Sequence, residues 1–497
     1  MNQIIDFKAA AAALRFETRA FINGKMVDAA SGKTFPTINP ATGKIITHVA
    51  ACDAEDVDRA VRAARRAFET GAWSHMSPRG RKEVLLKFAD LIEANMEELA
   101  LLETLDCGKP ISDARTVDLP DSIATLRWHA EATDKIYDQI SPAPHNVVSM
   151  IVREPIGIVG AVIPWNFPIF VAMWKLAPAL AGGNSLILKP AELTSLSLLR
   201  IASLAAEAGL PDGVFNVLPG LGHEAGKAIG LHMDIDCVSF TGSGEVGRYF
   251  LEYSAKSNMK RVVLECGGKS PAIVMDDVKN LGPMVENLAM GILFCQGENC
   301  SAGSRLVVQE GIKDRLLNEL KKHFAEWAVG DPFDPSTRVG AMIEEKHLDK
   351  VMGLIARGLE EGAQITFGGN RVLRETGGYF VQPTIFDGVT NTMTIAREEI
   401  FGPVLSVISV KTEEEAVRIA NDTNYGLASQ LYTDDLNRAH RVAKAIRAGT
   451  VSVNCFSEGD LAVPFGGYKE SGFGGREKGL AAHDQYTEQK AIWIQIR

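Results

Sequence analysis

CVSFTGSGEVG, residues 237–247, sets a short apolar run, a glycine-rich turn and the opening of a helix in direct succession. Cys237 to Phe240 reads as a buried strand. Gly242, Gly244 and Gly247 then match the G-x-G-x-x-G spacing in a strand–turn–helix setting. Such glycines let the backbone approach a pyrophosphate at a helix N-terminus, where free N–H groups and the helix dipole favour an anion. An ordinary glycine-rich turn satisfies the same spacing. On either side the chain keeps the same style. GIVGAVI at 157–163, SLIL at 185–188 and Gly213 to Val217 are short apolar runs, typical of parallel strands covered on both faces. Ser195 to Ala208 has helical periodicity. Asp53 is placed to cap a helix through Val57, Ala60, Val61, Ala64 and Phe68, and Ser77-Pro78 opens another through Leu85, Phe88, Leu91 and Ile92. Asn146 to Arg153 is strand-like. Alternating strands and helices predict an α/β fold built on a parallel sheet.

The pattern restarts after Gly268. PAIVM is followed by a helix near Met284–Phe294, the strand RLVVQ, a helix from Lys313, the strand VLSVISV at 404–410 and the helix Glu413–Asp422. At 497 residues the chain exceeds what one hydrophobic core usually supports, and the main boundary is expected near residues 265–270. The apolar end, Ala491 to Ile496, is expected to pair as a strand, in cis or with a neighbouring subunit.

Composition excludes several classes. Hydrophobic residues at 46% and charged residues at 23% are ordinary globular values. A net charge of −10 argues against a nucleic-acid backbone or an anionic membrane as the main partner. Seven cysteines without a CxxC pair fit neither a disulfide scaffold nor a zinc ribbon, so no metal site is expected and a cytoplasmic, reducing location is. The N-terminus mixes acids and bases and does not read as a secretory signal. Pro155 to Trp174 carries no charge and is long enough to span a bilayer, but its three prolines and Asn166 predict a strand, a loop and a helix instead.

Three residues stand out chemically. Cys300 lies among small residues in GENCSAG, which suits an accessible thiol, although most cysteines are inert and buried. Glu265 ends an apolar run beside Gly267 and Gly268, as a general base with a raised pKa or as a salt-bridged surface residue. Asn166, between prolines in PWNFP, can donate into an oxyanion hole or satisfy its own turn.

Taken together, the segments PWNFP (164–168), LKPAE (188–192), FTGSGEVG (240–247), LECGGKSP (264–271), GENCSAGSR (297–305), EEIFGPV (398–404) and PFGGYKESG (464–472) resemble the NAD(P)-dependent aldehyde dehydrogenase superfamily, in the family's order. The likeness runs from about Phe21 to Ile496. It implies a Rossmann-type coenzyme domain, a second α/β catalytic domain and a small β oligomerisation arm. Residues 1–138 and 155–266 would form the coenzyme domain, 139–154 and 481–497 the arm, and 267–480 the catalytic domain. It also implies roles: Cys300 as nucleophile, Glu265 as general base, Asn166 as oxyanion donor and Lys175 as an active-site lysine. Lys189 and Glu192 would hold the adenosine ribose, with Ile163, Pro164 and Trp165 beside them. Gly242, Ser243 and Val246 would lie at the pyrophosphate, and Glu399 and Phe401 at the nicotinamide ribose and ring. The implied cofactor is NAD, with NADP use possible, because Glu192 would repel a 2′-phosphate.

The family usually has Gln at Glu298 and Asn at Cys295, and Cys295 raises the prospect of oxidative pairing with Cys300. The implied reaction is oxidation of an aldehyde to a carboxylate through a cysteine thioester. EGDLAVPFGGYKESG and YTEQKAIWI point within the family to ω-aminoaldehyde and γ-glutamyl-γ-aminobutyraldehyde dehydrogenases. Glu458 and Asp460 are then expected to attract an ammonium tail at the tunnel mouth, with Phe167, Trp174 and Phe465 around the chain. Indole-acetaldehyde, betaine aldehyde or simple aliphatic aldehydes are the alternatives, and a plain thiol esterase is a further one. A homo-oligomer, dimer or tetramer, is expected.

Overall fold

The structure is a computed structural model and describes residues 6–497. The parallel strands anticipated around residue 240 form the centre of an eight-stranded sheet. Its order is Lys25–Val27, Ala20–Ile22, Phe215–Val217, Ser185–Lys189, Ile158–Val162, Cys237–Thr241, Arg261–Glu265 and Gly472–Phe473. The five central strands are parallel, and the outer pairings are antiparallel. Every residue of Ile158–Val162 and Ser185–Lys189 is buried, which is why those runs lack an alternating polar face. Helices cover both sides, and their caps are written in the sequence. Asp53 makes a capping box with Asp56 at the head of Ala54–Thr70, Ser77 accepts from the Gly80 N–H, and Ser243 accepts from the Val246 N–H.

Strand order reverses between Ile158–Val162 and Cys237–Thr241. Strands that follow Ile158–Val162 stack to one side, while Cys237–Thr241 and Arg261–Glu265 stack to the other. Such a reversal opens a crevice at the carboxyl ends of the strands. PWNFP leaves one of these ends and Gly242-Ser243 the other.

A second, seven-stranded sheet follows the order Gln364–Phe367, Thr384–Asp387, Val404–Val410, Arg305–Gln309, Pro271–Val274, Ala428–Tyr432, Thr450–Val453. Only its first pairing is antiparallel. The third sheet is small. Thr487–Gln495 pairs antiparallel with Val147–Pro155, which pairs with Gln139–Ser141. The chain's last strand therefore finds its partner in cis, while Ile140, Trp493 and Ile494 stay exposed on it. The charge-free stretch 155–174 resolves into the strand Ile158–Val162, a loop and the start of the helix Pro168–Ala181. No described helix is long and apolar enough to cross a membrane.

Candidate active site

A cavity of about 450 Å³ lies where the loops of the two larger sheets meet. Cys300, Glu265 and Asn166, some 35 to 135 residues apart in sequence, all line it. Cys300 arrives on the loop after the helix Leu281–Leu293, through a tight turn in which Cys295 and Gln296 take φ values of 50° and 56°. Left-handed backbone at non-glycine residues costs energy and needs support. The Gln296 side-chain oxygen supplies some, accepting from the Gly340 N–H at 3.3 Å. The loop then passes so close to Gly268 that a Cβ there would lie 2.4 Å from the Cys300 carbonyl oxygen. Burial first, then the carboxylates of Glu458, Glu399 and Glu265, hold the Cys300 thiol pKa above its ordinary range.

Glu265 ends the strand Arg261–Glu265 and is 3% exposed. One carboxylate oxygen accepts from the Gly467 N–H at 3.2 Å, and the other has no protein partner. Burial, followed by the neighbouring Glu477 carboxylate, raises its pKa well above that of a free glutamate. Asn166 donates one amide hydrogen to the Glu298 carbonyl at 2.7 Å. An amide nitrogen carries two hydrogens, so the second is left for the cavity. Lys175 is not on the wall. It is fully buried, pairs with Glu477 at 2.6 Å and donates to Ser239 Oγ at 3.1 Å, in a polar chain whose charges reach Glu265.

The opposite end of the cavity is bounded by Pro164, Trp165, Gly242, Ser243, Glu399 and Phe401. The Glu399 carboxylate accepts from the Gly268 N–H at 2.8 Å and crosses Gly267 so closely that a Cβ there would lie 2.0 Å from its oxygen. Burial pushes its pKa up to about 7. Phe401 sits at φ 59°, its carbonyl accepting from His347 Nε2 at 2.7 Å, with Trp165 edge-on to its ring. Further along, Lys189 is buried and donates to the Pro190 carbonyl at 2.8 Å and to Glu192 at 3.5 Å, while Glu192 is part-exposed. The Ile163 N–H ties to the Lys189 carbonyl at 3.2 Å. Val246 lies in the exposed first turn after Ser243. A helix N-terminus and an aromatic pair thus line the cavity, and the buried ammonium beside Glu192 ends the neighbouring strand Ser185–Lys189. These residues fit a dinucleotide: a helix N-terminus suits its phosphates, and the Glu192 and Glu399 carboxylates suit its ribose hydroxyls.

The mouth on the other side is aromatic. Trp174 stands 4.9 Å from Phe170 and 5.0 Å from Phe465, centre to centre, and Phe167 stacks on Phe294. Here two expectations need correction. Asp460 does not line the cavity. It is exposed and accepts from the Ala462 N–H at 3.2 Å, a local turn bond that turns the side chain back on its own loop. Glu458 does line it, but its carboxylate is bound by the Ser301 hydroxyl. The face of Trp174 is also partly taken, since Lys478 Nζ lies 5.6 Å from the ring centre. Cys295 is buried away from Cys300's wall and points its thiol at the Asn166 carbonyl at 3.6 Å.

The aldehyde dehydrogenase family matches this chain over residues 26–492. The chain is 52% identical to an aminoacetaldehyde dehydrogenase of Pseudomonas aeruginosa, over 98% of both chains. A solved γ-glutamyl-γ-aminobutyraldehyde dehydrogenase of Burkholderia cenocepacia superposes with a TM-score of 0.97 at 50% identity, covering 99% of each chain. An indole-3-acetaldehyde dehydrogenase of P. syringae, solved with NAD⁺ and IAA, superposes with a TM-score of 0.97 at 52% identity, again over 99% of each.

The chain belongs to the aldehyde dehydrogenase family.

As an aldehyde dehydrogenase it is an NAD(P)-dependent oxidoreductase with a Rossmann coenzyme-binding domain, a catalytic α/β domain and a small β arm. Three residues around this aldehyde dehydrogenase cavity escaped the sequence reading. Glu477 and Lys478 follow PFGGYKESG in a loop with no periodicity, and nothing local marks them as buried. Asp121 sits in a stretch that reads as an ordinary charged helix face, yet it lines the mouth. Only the docking of the helix Leu119–Ala132 against the cavity distinguishes it.

Proposed function

We propose that this aldehyde dehydrogenase uses Cys300, Asn166 and Glu265 to turn an aldehyde into a carboxylate. The reading rests chiefly on one observation. A single cavity holds a thiol, a free amide N–H and a buried carboxylate with an unpartnered oxygen. Cys300 sulfur adds to the aldehyde carbon as its S–H proton passes to a water in the cavity. The carbonyl oxygen takes the charge and is met by the free Asn166 N–H and the Cys300 backbone N–H. NAD(P)⁺, when bound, supplies the hydride acceptor. Glu399 and Phe401 orient the nicotinamide end, and Ser243 and Lys189 hold the phosphate and adenosine end. The carbon left on Cys300 is then a thioester. Glu265, made more basic by burial and by Glu477, takes a proton from water as that water attacks the thioester; the C–S bond then breaks, releasing the carboxylate and returning the Cys300 sulfur, which is reprotonated. Lys175 and Glu477, paired with one another, act on Glu265 only through their charges. Glu192, next to the ribose position, favours NAD over NADP. Formation of NADH, read at 340 nm from NAD⁺ and a small aldehyde, tests the reading. A thiol esterase would consume an ester and leave that absorbance flat.

An ω-aminoaldehyde is the substrate class that the mouth supports best. Asp121 and Glu458 line it, and the one ammonium there, Lys478, already donates to the Glu458 and Gly459 carbonyls at 3.1 and 3.0 Å. Asp121 is exposed, has no hydrogen-bond partner among the described residues and feels the Lys478 ammonium only through space, so its carboxylate can meet a cationic tail, while Phe170, Trp174 and Phe465 pack the methylenes. Comparing kcat/KM for 4-aminobutanal and pentanal tests this. An exposed pair is worth at most about 1 kcal/mol, so Asp121→Asn should cut the preference for the charged aldehyde by about fivefold. Asp460→Asn should leave it alone. Equal rates for the two aldehydes in the wild type would instead favour an uncharged aliphatic or aromatic substrate.

A further inference from the structure

Trp165, Asn166 and Phe167 of the loop, and Ile169 in the helix that follows, are each held from beneath by a buried polar side chain. The Trp165 carbonyl accepts from the Cys107 thiol at 3.4 Å, and the Asn166 carbonyl from the Cys295 thiol at 3.6 Å. The Phe167 ring lies 4.3 Å over Lys109 Nζ. The Ile169 N–H donates to Glu103 at 3.3 Å, and Glu103 is bound in turn by the Ser197 hydroxyl. Lys109 is locked in place by an ion pair with Asp118, and both side chains are 0% exposed. Asp118 closes a single π-helical turn, Ala114–Asp118, between two α-helical segments. That wide turn puts Val117 on the cavity wall and its neighbour Asp118 underneath. Such turns are frequent at functional sites.

Stability does not explain the pair. Replacing a buried ion pair by well-packed apolar residues is often neutral or stabilising, because desolvating both charges offsets their attraction. What the pair provides here is a fixed ammonium beneath one aromatic face, a directional contact that an apolar side chain cannot reproduce. We propose that Lys109, held by Asp118, is a positioning residue: through the Phe167 ring it fixes the loop and aims the free N–H of Asn166 at the oxygen of the bound aldehyde. This inference rests on the reading of Asn166 as the oxyanion donor.

The test compares kcat, KM and NAD affinity in the full-length protein for Lys109→Met/Asp118→Leu, for Asn166→Ala and for the three substitutions combined. Removing both charges together avoids stranding either one. The double variant should keep its melting temperature within a few degrees and its NAD Kd unchanged. Its kcat should fall by about ten- to a hundredfold, the effect of a misplaced catalytic group, with KM moving less than threefold. On the Asn166→Ala background the same double change should cost almost nothing more, since the amide it acts through is gone. A folded double variant with wild-type kcat overturns the inference, as does an equal further loss on the Asn166→Ala background. If Asn166→Ala itself lowers kcat by less than tenfold, the donor reading fails first and takes this inference with it. Should the double variant not fold, Phe167→Leu leaves the ion pair intact and removes the ring. A lowered kcat at near-constant KM supports the positioning role, and an unchanged kcat overturns it.

Discussion

Cys300 illustrates how little a single side chain says alone. As a cysteine among small residues it has two readings, and its raised thiol pKa describes a protonated group at rest rather than a preformed thiolate. Its chemistry comes from what faces it. Cys300→Ala should therefore abolish NADH formation while leaving NAD affinity within about twofold. Residual turnover above about 1% of wild type, read at 340 nm, would mean that another nucleophile serves. Glu265 makes a different prediction. With burial and Glu477 making it a stronger base, its part in the proposed reaction is to activate water. Glu265→Gln should release one rapid burst of NADH in a stopped-flow trace and then turn over at least about a hundredfold more slowly. A trace with neither burst nor slow phase would place the carboxylate at the earlier addition step. Both residues had two readings locally, and only the resemblance of seven segments to the family singled them out. Asp460 was not read correctly, since an acid in a loop gives no sign whether it faces a cavity or caps its own turn.

Secondary elements carry a second kind of information. The short apolar runs, the Asp53 and Ser77 helix starts and the glycine turn after residue 241 all appear where pattern and cap chemistry place them, with boundaries shifted by up to four residues. How the elements clasp one another is invisible to such patterns. The helix Leu119–Ala132 meets the short helix Ala481–Asp484 through His129 Nδ1 and His483 Nε2, 2.9 Å apart and both buried. Burial holds His129 well below the ordinary histidine range and pushes His483 down to about 4. In the unfolded chain each would titrate near 6.5, so below that pH the unfolded state binds more protons than the folded one. Stability contributed by this clasp is fully present above about pH 6.5 and drains away as pH falls toward 4. The melting temperature should drop over that window, and His483→Gln should flatten the drop. An identical slope in the variant would show that the pair is not what acid attacks.

For the whole molecule the outstanding question is assembly. The arm formed by Thr487–Gln495, Val147–Pro155 and Gln139–Ser141 leaves Ile140 80%, Trp493 62% and Ile494 47% exposed on a narrow sheet. Apolar side chains on a thin three-stranded sheet gain from a partner surface. A dimer or tetramer is the expected state. Light scattering at micromolar concentration should report a multiple of the 53.7 kDa chain. Trp493→Glu with Ile494→Glu should shift the particle toward the single-chain mass, and a wild-type particle of that mass would refute the expectation.

The sequence by itself determined the α/β class and most of the strands and helices around the first sheet, and its resemblance to the family singled out Cys300, Glu265 and Asn166 as the proposed reacting groups. The class and the elements depend on short-range facts: apolar periodicity, caps, and glycines where the backbone must pass close. Only the tertiary structure decided what those residues meet. It brought Gly472–Phe473, from far along the second half of the chain, into the first sheet beside Arg261–Glu265, and with it placed Glu477 against Lys175. It put Asp121 rather than Asp460 at the cavity mouth, and a ring of buried polar groups under Asn166. The physical reason is that burial and partnership depend on long-range packing. A carboxylate reads the same in sequence whether its neighbour in space is water, an ammonium or a thiol, and its pKa and its role follow from that neighbour.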